Sequence, residues 1–109
     1  MSTQALLVFC TCPDRAVGLQ IAEQLVDRRL AACVSLLPGV TSVYTWEGRC
    51  ETAEELQLLI KTRAERYPAL ERTLLELHPY ELPEIVAVPI EKGLTAYVEW
   101  VTECTTEQA

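Results

Sequence analysis

Between residues 40 and 61 the side chains alternate from face to face along two arms of chain joined by Trp46-Glu47-Gly48-Arg49. Val40, Ser42, Tyr44 and Trp46 share one face of the first arm. On the second, Glu55, Gln57, Leu59 and Lys61 alternate with Leu56, Leu58 and Ile60. A period of two belongs to a strand, because successive Cβ atoms of a pleated chain point to opposite sides. The pattern predicts a β-hairpin with its tip at the Glu-Gly step, a weaker turn signal than Asn-Gly. Pro38-Gly39 interrupts the first arm and predicts a bulge or bend. Each arm exceeds the about 5–6 residues of an average strand. An edge so long, apolar and aromatic is an aggregation hazard unless something pairs with it. The economical partner is another copy of the same chain.

The flanking segments complete the plan. "QALLVFC", residues 4–10, reads as a short buried strand closed by "TCPD". Asp14 can cap a helix running to about Arg29, with Val17, Ile21, Ala22 and Leu25 at helical spacing and basic Arg28 and Arg29 in its last turn. Tyr67-Pro68 opens a second helix, whose apolar face is Tyr67, Leu70, Leu74 and Leu77. It must stop at His78, because the residue before Pro79 is pushed out of the helical region. "EIVAVPI", residues 84–90, is a fourth strand; Pro83 at its start and Pro89 inside it lack backbone donors, which places it at a sheet edge. A last helix carries Tyr97, Trp100, Val101 and Cys104. The order is β-α-β-β-α-β plus a terminal helix, an α+β split-βαβ arrangement. Right-handed crossovers then give a sheet order of 4-1-3-2 with the helices on one face. Nothing divides the chain, so residues 1–109 are expected to form a single domain.

Charge narrows the function classes. Nine Lys and Arg against sixteen Asp and Glu give a net charge of −7, and the basic residues are scattered. Nucleic-acid binding, which starts from phosphate neutralisation, is not expected. No apolar run approaches the about 20 residues of a membrane helix, and the start "MSTQALLVFCTCPDR" has neither the basic segment nor the cleavage pattern of a signal peptide. A cytoplasmic protein without membrane partners is the expectation. Five cysteines, an odd number, argue against a disulfide framework, and no C-x-x-C pair is present.

Candidate chemistry is correspondingly sparse. Cys10 and Cys12 would share a strand face and can serve as soft ligands for copper(I), or with His78 for zinc. Simple burial of apolar thiols is the competing reading for Cys10 and Cys33. His78, the single histidine, can be a hydrogen-bonded corner residue, a metal ligand or, with a thiol brought near it, part of a catalytic pair. Glu55 and Lys61 lie on one face about 20 Å apart along an extended chain, too far to pair with each other. Each needs another partner.

Three blocks, "LAACVSLLPGVTSVYTWEG", "ELQLLIKT" and "HPYELPEIVAVPI", together with "CTCPD" and the late Tyr97-x-x-Trp100, resemble the signature of the CutA family, named for divalent-cation tolerance. The resemblance covers essentially the whole chain. It implies a ferredoxin-like fold and a homotrimer whose long hairpins pair with neighbouring subunits. It also implies a link to copper and other divalent cations, with copper binding by some members and an anchoring role suggested for animal members. No settled enzymatic activity or required cofactor goes with it. By motif position, Cys10, Cys33 and His78 fall where the family commonly has cysteine or histidine, and Trp46, Glu55, Lys61, His78, Tyr80 and Glu84 fall where its inter-subunit clefts gather. Pro79 and Pro83 belong to the same signature. Arg49 stands where lysine is usual, and Cys12 where a residue other than cysteine is usual. An alternative is a regulatory module similar to the nitrogen-regulatory PII proteins, which share the trimeric plan and bind small ligands between subunits. An acylphosphatase-like enzyme is not expected, because "FCTCPDRAVG" has no counterpart of that family's phosphate-cradling glycine loop.

Overall fold

The computed structural model describes residues 4–107, so positions 1–3 and 108–109 of the expected domain lie outside it. Strand β1 (Ala5–Cys12) leads to helix α1 (Arg15–Asp27), and the hairpin follows as β2 (Cys33–Trp46) and β3 (Arg49–Arg63). A single 3-10 turn at Ala64–Arg66 opens into α2 (Tyr67–Leu77), and β4 (Val86–Pro89) and α3 (Thr95–Cys104) complete the chain. The sheet is antiparallel in the order β2-β3-β1-β4, the predicted 4-1-3-2 read from the other edge. β3 is its spine. Residues 56–63 pair with β1 on one side, and the strand from Arg49 to Lys61 pairs with β2 on the other, interrupted at the bulge.

Two glycines set the geometry of the hairpin. Glu47 and Gly48 have φ of 51° and 78°, so the two-residue tip has positive φ at both positions and its twist matches that of the arms. Between Leu37 and Val40 the register shifts, with Gly39 at φ 81°. The bulge changes the parity of β2. Cys33, Ser35 and Leu37 before it lie on the same face as Val40, Ser42 and Tyr44 beyond it, all opposite odd-numbered residues of β3.

The core occupies the even-numbered face. Val8, Cys10 and Cys12 of β1 and Leu56, Leu58 and Ile60 of β3 pack against Ile21 and Leu25 of α1 and Leu70 and Leu74 of α2. Burying one large aliphatic side chain contributes roughly 1.5–3 kcal/mol, so this face supplies most of the driving force for folding. Asp14 caps α1 by accepting from the Val17 N–H at 2.9 Å.

Three boundaries and one helix placement differ from the sequence expectation. β1 continues past Cys10 to Cys12, because the long β3 offers Gln57 and Leu56 as partners for Thr11 and Cys12. α1 ends at Asp27, so Arg28 and Arg29 are not in its last turn. Instead the Arg29 N–H bonds the Val26 carbonyl, the Leu30 N–H bonds the Leu25 carbonyl, and Arg29 takes φ 59°, a Schellman stop with arginine where glycine is usual. β4 is shorter than residues 84–90, although the Ile90 N–H still reaches the Ala5 carbonyl at 2.9 Å. Finally, α3 lies on the opposite side of the sheet from α1 and α2. Arg63, on the odd face, donates to Thr105 Oγ1 and to the Thr105 carbonyl at 3.1 and 3.2 Å. Arg29 donates to the carbonyls of Thr106 and Glu103, both at 2.7 Å. Guanidinium groups thus take up carbonyls at the end of α3.

Candidate functional site

Two neighbouring features gather the polar and soft side chains. The first is a buried corner made by β1 and the end of α2. The pleat puts Cys10 and Cys12 on the core side of β1, and Pro79 ends α2 so that His78 becomes its cap in extended conformation. The sulfurs of Cys10 and Cys12 and a ring nitrogen of His78 all lie within 4.8 Å of one another, and all three residues are buried.

Both nitrogens of His78 are engaged. The Tyr80 backbone N–H donates to Nδ1 at 3.1 Å, and Nε2 lies 2.7 Å from the Thr11 carbonyl. Because Nδ1 is an acceptor, the ring proton sits on Nε2 and is donated to Thr11. β4 pairs with β1 only as far as Phe9, and His78 binds the strand where that ladder no longer reaches. The Cys10 thiol donates to the Thr11 carbonyl at 3.8 Å. The neighbouring Cys12 thiol and burial raise the Cys10 pKa, while Cys10 lowers that of Cys12 against the opposing effect of its own burial.

The second feature is a cleft of about 870 Å³ between the distal hairpin and the loop after α2. The Tyr80 ring tilts against that of His78 with centroids 4.7 Å apart, and its hydroxyl donates to Glu55 Oε2 at 2.6 Å. Burial and this carboxylate push the Tyr80 phenol well above the usual tyrosine value. Trp46 and Glu84 line the same cleft. Of the residues assigned to it from sequence, Trp46, Glu55, Tyr80 and Glu84 therefore meet within one chain, with His78 behind Tyr80. Lys61 does not join them: its Nζ bonds Ser35 Oγ at 2.9 Å and the Leu59 carbonyl at 3.4 Å, farther down β3. Glu81 also lines the cleft, and among the described residues its lining holds no Lys or Arg.

Cys33 is likewise not brought to the thiol corner. β3 lies between its strand and β1, and it pairs across from Lys61 on the odd face. There it meets Tyr97 of α3, whose phenol is pushed up by burial and by Cys33. The sequence reading missed Thr11. The only signal for it was its place between the two cysteines, and its contribution comes from the carbonyl, which every residue has.

With this geometry in hand, the family-level match is direct: the CutA1 divalent ion tolerance protein family matches residues 6–104. The chain belongs to that family. The divalent-cation tolerance protein CutA of Thermus thermophilus is 46% identical over 99 residues, covering 91% of this chain and 96% of that protein. Mouse protein CutA is 43% identical over 97 residues, covering 89% of this chain and 55% of the mouse protein. The chain thus spans about half the length of its mouse and human relatives. Among solved structures, the Thermus thermophilus divalent cation tolerance protein superposes with a TM-score of 0.92 at 44% identity, covering 94% of this chain and 99% of that one. CutA1 from Oryza sativa gives 0.93 at 38% identity, covering 98% and 100%. These likenesses agree with a ferredoxin-like fold. The CutA1 signature blocks fall on β2, β3 and the corner after α2, the elements that frame the cleft.

Proposed function

We propose that this CutA1-family chain is a copper-binding, divalent-cation tolerance protein that works as a homotrimer in the cytoplasm, taking the ion at Cys10 and Cys12 beside His78. The observation that carries this is the convergence of two thiols and an imidazole within 4.8 Å in a buried corner. The donor set fits a soft or borderline cation. Thiolates select copper or zinc over calcium and magnesium, and among the described residues no carboxylate enters the cluster. A reducing compartment keeps such thiols available, which supports the cytoplasm. Binding rather than catalysis is the role, since the single imidazole is committed to two backbone groups and is not free to act as a base.

The trimer is supported by surfaces one chain leaves open. Val43 is 68% exposed, Tyr44 and Trp46 are also exposed, and Leu37 and Val86 are bare on the odd face of the sheet. On that face the Gln57 amide nitrogen is buried with no acceptor among the described residues. Buried donors without partners are costly, and a neighbouring copy is the natural source of both the acceptor and the apolar cover.

Native mass spectrometry of reduced protein, purified without chelator or affinity metal and then loaded with copper, tests both parts together. A trimer carrying one copper per chain is expected, with the copper lost in the Cys10→Ser, Cys12→Ser double variant. Equal copper in both forms, or only single chains, overturns the proposal. The acidic cleft supports a second reading, a PII-like module that takes a small ligand between subunits. Its Trp46 and Tyr80 suit a cationic or metal-bound ligand, whereas an anion would need Lys61 from a neighbouring subunit. If Lys61→Met trimers keep every metabolite-induced thermal shift of the wild type, the anion version of this second reading fails.

A further inference from the structure

We propose that Cys10 and Cys12 alone form a two-coordinate dithiolate site for a monovalent soft cation, copper(I) being the biological case, and that His78 is a positioning residue outside the ligand set. This rests on the reading that the thiol corner takes copper, and it specifies the charge and coordination of the ion.

The first argument is reach. A bond between a first-row metal and a thiolate is about 2.3 Å, so two of them span up to about 4.6 Å. The two sulfurs lie no more than 4.8 Å apart on one face of one strand, so a small side-chain adjustment is enough for a single ion to bridge them. Each thiol releases its proton to solvent as its bond to the metal forms. The ion arrives already as copper(I), so no electron is exchanged.

The second argument counts lone pairs on His78. Its only free pair would be at Nδ1, which already accepts the Tyr80 N–H, while the Nε2 proton is held by the Thr11 carbonyl at 2.7 Å. Ligation through Nδ1 strands the Tyr80 N–H. Ligation through Nε2 moves the proton to Nδ1, where it faces that same N–H, and leaves the Thr11 carbonyl without its donor. Either way a buried backbone group loses its partner. In its present state the imidazole does something else. It binds the carbonyl of the residue between the two cysteines and so holds the peptide that joins Thr11 to Cys12.

The third argument is what is missing from the cluster. Structural zinc takes four ligands, and copper(II) prefers a tetragonal set of nitrogen and oxygen. No carboxylate is part of the group among the described residues, and Glu55 in the adjoining cleft already accepts from the Tyr80 hydroxyl at 2.6 Å. Two soft donors with no carboxylate suit a monovalent ion of filled d shell and leave a divalent one under-coordinated.

The test is anaerobic titration of the reduced full chain with copper(I) and with zinc(II), each against a competing chelator, together with X-ray absorption of the copper-loaded protein. Two sulfurs and no nitrogen in the copper shell are expected. His78→Gln can still donate to Thr11 and should lower copper(I) affinity by no more than about tenfold, the mild end of losses outside a ligand shell, whereas Cys12→Ala should lower it by more than about 100-fold. The spectrum of the wild type needs no variant to fold. A nitrogen in the shell, a His78→Gln loss as large as that of Cys12→Ala, or zinc bound as tightly as copper(I) overturns the two-coordinate site while leaving copper binding itself intact. Wild type that takes no copper(I) at all overturns both.

Discussion

The hairpin is one continuous ladder, yet its two halves are held by different forces. In the root, residues 56–63 of β3 sit between β1 and β2, and every even-numbered side chain there is buried, Leu58 and Ile60 completely. In the distal half, residues 49–54 pair only with the far end of β2, and among the described residues no helix or further strand covers it; only the loop after α2 faces it, across the cleft. A one-residue slip in the root would turn Leu56, Leu58 and Ile60 out of the core, so burial fixes its register. Farther out, register is set by the positive-φ turn at Glu47-Gly48 and the bulge at Gly39. Alternation along a strand therefore identifies the strand. It does not say how many layers lie on it.

The largest effect that would break this contrast is at the root. Leu58→Ala should cost about 2–5 kcal/mol, the range for truncating a buried leucine, measured by equilibrium denaturation at fixed protein concentration. A loss within about 0.5 kcal/mol, as at an ordinary surface position, would mean the root is not packed as described. Next comes assembly. Tyr44→Pro removes one ladder donor where no second layer depends on it, so the chain should stay folded while the proposed trimer gives way to smaller species in sedimentation at micromolar concentration. Thr106→Pro, beyond the end of α3, should leave assembly unchanged. An intact Tyr44→Pro trimer would show that the distal half does not carry the interface.

The smallest effect probes the packed side. Burial and the neighbouring Glu71 carboxylate, which accepts the Tyr67 hydroxyl at 2.8 Å, push that phenol up to about 12. Because the folded-state value is raised, the stabilisation is complete below the usual 10.0 and is lost as pH rises from there to about 12. Tyr67→Phe should cost about 0.5 kcal/mol near neutral pH, the low end for a net hydrogen bond, and should flatten the alkaline fall. If the wild type and Tyr67→Phe lose stability in parallel above pH 10, this hydrogen bond is not its source.

Periodicity and proline chemistry made most of the fold legible. The hairpin, its bulge, the stop at His78 and the edge position of β4 each follow from a local rule that the three-dimensional structure does not override. Boundaries that depend on a distant partner were not legible. β1 reaches Cys12 only because β3 is long enough to pair with it, and the side on which α3 lands is decided by Arg29 and Arg63. The site divides in the same way. Cys10 and Cys12 share a face by pleat alone, and His78 was marked by its proline. Cys33 carries the same chemistry but sits across the sheet, because strand order and bulge parity set its face. The family signature put Glu55 and Tyr80 at one cleft, but their direct contact joins residues 25 apart in sequence, and no local pattern could pair that phenol with that carboxylate.

Arg29 carries one more consequence. The position that ends α1 needs a left-handed backbone, for which glycine is the relaxed choice, yet it holds a side chain long enough to reach the carbonyls at the end of α3. A stability engineer reading dihedral angles alone would choose Arg29→Gly as an improvement. The substitution would ease one residue of backbone while removing two of the hydrogen bonds that hold the end of α3, so the strained residue is also a tie between the end of the first helix and the end of the last.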